Sequence, residues 1–269
     1  MSTIIAPGLV DPHDLSTDRQ FSMNLARGLK VLRAFTPTAR LLGNRELADR
    51  TGLPKPTISR LTYTLSLLGY LNRDAAHQKY RLSPGTLSLV HPLLASIAVR
   101  QLAKPIMEAL ARSTGCTVNL GIRDRIHVVY IESVHSDTSN LHHSDIGSVR
   151  PLLSSAIGRA LILACPAKEQ AAIINYLRVQ NRTLFDTHRV MWEADQRLFA
   201  ERSYCHSRGD WCQDVHAVAV PLRQPANEPP LAINCSLITH RAQKDRLVRE
   251  VVPLLRDAVF RLETAQGLR

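Results

Sequence analysis

Asn44-Arg45-Glu46-Leu47-Ala48-Asp49-Arg50-Thr51-Gly52-Leu53-Pro54-Lys55-Pro56-Thr57-Ile58-Ser59-Arg60-Leu61 is the stretch that decides the fold of the N-terminal part of this chain. Asn44 is placed to cap a short helix by offering a side-chain oxygen to its free N–H groups. Leu47 and Ala48 supply the apolar stripe, and Gly52 supplies the left-handed residue that ends the helix. Pro54 and Pro56 suit a turn and a helix start, where a missing N–H costs little. Ile58, Leu61, Leu65 and Leu68 then recur at the spacing of one helix face, while Lys55, Ser59, Arg60 and Tyr63 fall on the other. Two short helices at a steep angle, the second polar and basic outward, predict a helix-turn-helix that reads DNA. A helical hairpin with a merely solvated basic face is the bland alternative.

The flanks favour the DNA reader. Leu25, Leu29, Leu32 and Phe35 describe an amphipathic helix able to roof the motif. Tyr70-Leu71-Asn72-Arg73 and Lys79-Tyr80-Arg81-Leu82 alternate like strands joined through Asp74 to Gln78. Three helices followed by a hairpin make a winged helix-turn-helix. Charge agrees: from Arg19 to Leu82 twelve Lys/Arg stand against three Asp/Glu, so most of the net +11 sits on this segment, where it can meet phosphates.

A chain of 269 residues with 45% hydrophobic residues has room for two packed domains. Residues 1–20 read as a flexible polar tail, 21–82 as the winged domain, 83–98 as a linker helix and 99–269 as a second domain. Ser83-Pro84-Gly85 breaks the wing, and Leu87, Val90, Leu94 and Ile97 share a face of the helix that follows. Beyond it, a helix over Leu102–Ser113 turns Leu102, Ile106 and Leu110 inward. Strands are expected at Val118–Ile122, His127–Ile131, around Leu141-His142-His143, at Val215–Leu222 and at Leu231–Leu237. Helices are expected at Ser155–Leu163, Lys168–Tyr176, Val190–Ala200 and Ala242–Thr264. Strands mixed with helices fore and aft indicate an α+β domain of the sensor type.

Five cysteines in an odd, unpaired set, no signal peptide and no apolar run of membrane-spanning length suit reduced thiols in a cytoplasm and no membrane partner. Cys205-His206 with Cys212 and His216 lacks the tight ligand pairs of structural zinc sites, so no metal and no cofactor are expected. No nucleophile elbow, phosphate-cradling loop or zinc-protease motif is present, and an enzyme is not expected.

Gly52-Leu53-Pro54-Lys55-Pro56-Thr57-Ile58-Ser59-Arg60-Leu61, Leu68-Gly69-Tyr70-Leu71 and Tyr80-Arg81-Leu82-Ser83-Pro84-Gly85 together resemble the isocitrate lyase regulator (IclR) family of bacterial transcription factors. Leu102-Ala103-Lys104-Pro105, Ala109–Val118, Val128-Val129-Tyr130-Ile131 and Pro151–Ala160 extend the resemblance from about Phe21 to the C-terminus. It implies a GAF-like effector-binding and oligomerisation domain, a linker helix that contributes to dimer packing, and a homodimer or homotetramer on a pseudo-palindromic DNA operator. Lys55, Pro56, Thr57, Ser59 and Arg60 then stand nearest the bases. Arg can bridge guanine O6 and N7, whereas Pro56 occupies a position where many relatives carry a small polar residue. Tyr63 and Arg45 suit the DNA backbone, and Arg73, His77 and Lys79 place the wing near phosphates or the minor groove.

By the same resemblance a small organic or aromatic acid is lined by Ser154, Ser155 and Ala156, by Asp214 and Ala217, and by Asn234 and Ser236. Asn234 and Ser236 lie two apart and share a strand face. Ser207-Arg208-Gly209-Asp210-Trp211 departs from an acidic run frequent in relatives, so Asp210 and Trp211 join the expected lining. A second domain that serves only oligomerisation is the competing reading.

Overall fold

Three short helices, each with one apolar stripe, build the first part of the molecule. α1 (Met23–Arg33), α2 (Asn44–Thr51) and α3 (Lys55–Leu67) enclose a small core of Val31, Phe35, Leu42, Leu47, Ile58, Leu65 and Leu71. Gly52 ends α2 with φ of 67°, a left-handed conformation that costs a glycine nothing. The α2 cap falls one residue earlier than expected. Glu46 Oε2 accepts the Gly43 N–H at 2.6 Å, so Gly43 is the cap and Asn44 the first helical residue. The stripe of α1 is also shifted: Gly28 and Val31 are buried, whereas Leu25 and Leu29 stay 63% and 51% exposed. Closing the wing, β1 (Leu71–Asp74) and β2 (Lys79–Leu82) pair antiparallel, with Leu71 opposite Leu82. α4 (Pro84–Ser96) completes this unit, which spans Val10–Ser96. None of its thirteen residues is buried.

The structure is a computed structural model, and it describes residues 9, 11–136, 144–225, 228–238 and 244–269. The strand expected at Leu141-His142-His143 lies outside the described residues, as does much of the N-terminal tail.

The second unit, chiefly Ile97–Arg269, opens with α5 (Ala98–Thr114), which buries Val99, Ala103, Met107, Leu110 and Ala111. Leu102, expected inward, is 41% exposed because the buried stripe runs one residue later. A six-stranded antiparallel sheet follows in the order β5-β4-β3-β8-β7-β6. Its strands are β3 (Thr117–Asp124), β4 (His127–Val134), β5 (Val149–Pro151), β6 (Cys205–Arg208), β7 (Val215–Leu222) and β8 (Leu231–Ile238). The two edge strands β5 and β6 escape the sequence reading, β5 because three residues are too short to show a period.

Between the sheet edges run α6 (Ala156–Ala164), α7 (Ala167–Gln180) and α8 (Arg182–Arg202). α6 packs against β7 and β8 on one face of the sheet. The other face meets α5 and the C-terminal helical run of α9 (Lys244–Arg246), a π-helical turn (Leu247–Val251) and α10 (Val252–Ala265). α8 extends well beyond the expected Val190–Ala200, with Asn181 Oδ1 capping it by accepting the Leu184 N–H at 2.9 Å. Among the described residues no single helix is long and apolar enough to cross a membrane.

Candidate DNA-reading surface and effector cavity

On α3 the inward face is Ile58, Thr62 and Leu65, so Lys55, Pro56, Ser59, Arg60 and Tyr63 are left exposed and Thr57 half-buried. Thr62 does not interrupt the helix core, since its hydroxyl donates to the Ile58 carbonyl at 3.0 Å. Pro56 falls in the first turn, where its missing N–H would be unpaired in any case. Arg45 is exposed at the start of α2.

Internal bonds hold the wing candidates. Arg73 donates to the Gln78 side-chain oxygen, and the His77 backbone N–H and imidazole both lie close to Asp74 Oδ1, at 3.0 and 3.1 Å. The His77 N–H, together with its ring, lowers the Asp74 carboxyl below its usual range. Lys79 Nζ reaches Glu46 Oε1 at 2.8 Å, which ties the wing to α2. The Gly43 N–H, then Lys79, hold Glu46 below the ordinary carboxylate range. Arg81, also exposed on β2, was missed by sequence reasoning.

A cavity of about 60 Å³ opens on the α6 face of the sheet. Ser155, Ala156, Trp211, Ala217, Asn234 and Ser236 line it as the sequence predicts. Ser154, Asp210 and Asp214 are not among its lining. Register explains much of the floor: Thr117 faces Ser236 across β3 and β8, Asn119 faces Asn234, and Ala217 faces Ser236 across β7. Asn234 Oδ1 accepts from Asn119 Nδ2 at 3.0 Å, and Asn119 Oδ1 accepts from Ser133 and Ser144 hydroxyls at 2.6 and 2.9 Å. Ser155 caps α6, accepting the Gly158 N–H at 3.2 Å and donating to the Pro151 carbonyl at 2.7 Å. Its hydroxyl is therefore already engaged in holding α6.

Sequence reasoning missed Tyr130, Ser144, Arg150 and Ser207 in the wall. Arg150 sits on edge strand β5, and Trp211 follows edge strand β6. Their side chains nevertheless meet, with the guanidinium 4.3 Å from the indole centroid. The sheet is thus curled enough to bring its opposite edges together across the cavity mouth.

Asp210 faces away from the cavity because Arg159 claims it. Arg159 is fully buried on α6, where it donates to Asp195 Oδ2 at 2.5 Å and Asp210 Oδ2 at 2.8 Å. It also donates to the carbonyls of Leu153 and His206 at 3.0 and 2.9 Å. Burial alone would pull this guanidinium down, but the two carboxylates reverse the effect and hold it above its ordinary value. Burial raises the Asp195 carboxyl even against the pull of Arg159. The network fastens the segment that carries Trp211 to the helix whose N-terminus lines the cavity. A lone Arg in an apolar run, Ile157-Gly158-Arg159-Ala160-Leu161, was the sequence signal for it.

The four buried thiols are unsuited to attack. Burial pushes Cys165 up to about 11 and also raises Cys116, Cys205 and Cys235.

A winged helix-turn-helix with an exposed basic recognition helix, followed by a domain whose curled sheet walls a small polar cavity, defines a DNA-binding regulator with a sensor domain. Comparison with known proteins makes this specific. The model of the IclR helix-turn-helix domain matches residues 24–75, and that of the bacterial transcriptional regulator IclR C-terminal domain matches residues 91–263. The chain belongs to the IclR family of transcriptional regulators. It is 34% identical to the HTH-type transcriptional regulator TsaQ1/TsaQ2 of Comamonas testosteroni over 81% of this chain and 77% of that protein. The crystal structure of an IclR family transcriptional regulator from Brucella abortus aligns with a TM-score of 0.83 and 39% identity, covering 92% of this chain and 94% of that one. An IclR homologue from Microbacterium hydrocarbonoxydans, crystallised in complex with 4-hydroxybenzoate, shares the fold at TM-score 0.67 and 21% identity, over 91% of this chain and all of its own. The relatives are named as transcriptional regulators, and this chain is a regulator rather than an enzyme.

Proposed function

We propose that the protein is a cytoplasmic homodimer or homotetramer that binds a pseudo-palindromic operator and changes its occupancy when a small organic or aromatic acid enters the C-terminal cavity. Lys55, Pro56, Thr57, Ser59 and Arg60 enter the major groove, Arg45 and Tyr63 meet the backbone, and the wing adds phosphate contacts from Arg73, His77 and Lys79. Lys79 exchanges its Glu46 partner for a phosphate, and this exchange makes its contribution small. Self-association is supported by α4, whose Leu87, Leu89, Val90 and Leu93 are 70%, 59%, 42% and 58% exposed. Two paired copies would bury these side chains and set the spacing of the two recognition helices.

The observation that carries the effector part is the polar-floored cavity beside Ser155 and Ser236. A domain serving assembly alone has no need of it. The bound 4-hydroxybenzoate of the Microbacterium homologue supports the same reading. Ligand binding alters DNA occupancy only if it favours one dimer geometry over another.

Fluorescence anisotropy on the protein's own upstream duplex and a scrambled duplex, across a salt series, tests the DNA part. Tight, salt-sensitive preference for the upstream duplex is expected, whereas equal weak binding to both would sink an autoregulatory operator. Repeating the titration with a panel of small molecules tests the effector part. At least one compound should shift the affinity of the wild type and leave that of the cavity-filling Ala217→Phe variant unchanged.

A further inference from the structure

Arginines sunk into the surface of the C-terminal unit have carboxylate partners. Arg100 meets Glu132 at 2.9 Å, Arg123 meets Glu169 at 2.6 Å, and Arg159 holds Asp195 and Asp210. Arg150, half-buried in the cavity wall, does not. Among the described residues it pairs with no carboxylate; its hydrogen bonds go to the neighbouring Val149 carbonyl, at 2.9 Å, and to the Tyr130 side chain. Aromatic rings hold it instead. Its guanidinium lies 4.3 Å from the Trp211 ring centroid and 5.3 Å from that of Tyr130.

We propose that Arg150 reads the carboxylate of the effector, and that the cavity takes a single-ring aromatic acid. This rests on the effector-cavity reading above and names the group that recognises the ligand. A planar cation lying against aromatic rings is positioned before a ligand arrives, and the N–H groups of its fork that Val149 and Tyr130 do not take remain for the ligand. A carboxylate fits that fork with two parallel charge-assisted hydrogen bonds. The incoming anion supplies the counter-charge that this half-buried cation lacks, so an acid gains where a neutral isostere does not. A cationic ligand meets repulsion from the same group. The remaining wall is apolar at Ala156, Val215 and Ala217, with the Ser236 hydroxyl for a ring substituent, and the small volume, about 60 Å³, favours a ligand of one ring over a larger one.

Isothermal titration calorimetry of the full-length protein with 4-hydroxybenzoate and with its neutral isostere 4-hydroxybenzamide tests the assignment. The wild type should bind the acid at least about tenfold more tightly than the amide, the scale of one hydrogen-bonded charge. Arg150→Met should bring that ratio close to one while its melting temperature stays near that of the wild type. Arg150→Lys keeps the charge without the fork and should retain only part of the preference. A full acid preference in Arg150→Met, equal binding of acid and amide by the wild type, or no binding of either at millimolar concentration would each overturn the proposal. The effector reading is judged separately by the DNA titrations. A compound of any class that shifts wild-type but not Ala217→Phe affinity keeps that reading when the role of Arg150 has failed.

Discussion

Replacing Arg159 by methionine should destabilise the C-terminal unit more than any single change in the cavity wall. Methionine fills much of the arginine stem but leaves the Asp195 and Asp210 side chains, 5% and 4% exposed, without their cation. The Leu153 and His206 carbonyls lose a donor as well. Removing one partner of a buried ion pair costs about 3–5 kcal/mol, because the charge left behind is uncompensated. Protonation limits the damage. Burial already raises the Asp195 carboxyl, and without Arg159 it rises further, so the variant recovers stability as pH falls through that raised value. The gap between wild type and variant therefore narrows on acidification from neutral pH. Urea unfolding followed by circular dichroism measures the loss, and Trp211 emission, read in a Trp192→Phe background, reports whether its loop has come away. DNA affinity should change little, since α3 lies in the other unit. Asp195→Asn with Asp210→Asn in the Arg159→Met background should restore part of the stability by removing the stranded charges. A loss under about 1 kcal/mol with unchanged Trp211 emission would refute the reasoning, because no isolated buried carboxylate is that cheap.

Arg60→Ala should lose about 1–3 kcal/mol on operator DNA and far less on random DNA if Arg60 reads a base; equal losses in anisotropy titrations would make it a phosphate contact. Gly158→Ala places a Cβ 1.9 Å from the Leu152 carbonyl oxygen, so α6 must move off its seat, and urea unfolding should show a loss of at least about 1–3 kcal/mol. His206 is pulled down to about 4 by burial, then by Arg208 and His216, so the unfolded chain takes up a proton before the folded one does. Stability present at neutral pH is therefore lost as pH falls from the ordinary histidine value toward 4, by about 3 kcal/mol at most. His206→Gln removes that contribution, and its urea midpoints should fall less steeply than those of the wild type between neutral and mildly acidic pH.

The N-terminal unit was legible because its signals are local. Gly52 and Pro54 fix the turn, and the periodicity of Ile58, Leu65 and their neighbours fixes which face of α3 is left for DNA. The strands Val215–Leu222 and Leu231–Ile238 were legible for the same reason, being long apolar runs bounded by turn residues. The stripes slipped at Leu25 and Leu29, at Leu68 and at Leu102, all of which are exposed, because tertiary packing turned Val31, Thr62 and Ala103 inward in their helices.

Of the nine residues expected in the cavity, five line it from matching segments of the family, since Ser155, Asn234 and Ser236 sit at element starts and strand registers that the sequence fixes, and a sixth, Trp211, lines it from a segment that departs from the family. Asp210 shows the limit of that approach. Its neighbour Trp211 lines the cavity, yet Asp210 itself turns inward to an arginine 51 residues earlier in the chain. Arg150 is the converse case, an unremarked residue on a three-residue strand that becomes a cavity wall. The sequence by itself determined the helix-turn-helix, the basic reading surface and the identity of the long strands, all governed by contacts between near neighbours. Only the tertiary structure decided what meets across the curled sheet, because edge-to-edge contacts such as Arg150 with Trp211 depend on accumulated twist and register, which no local pattern encodes.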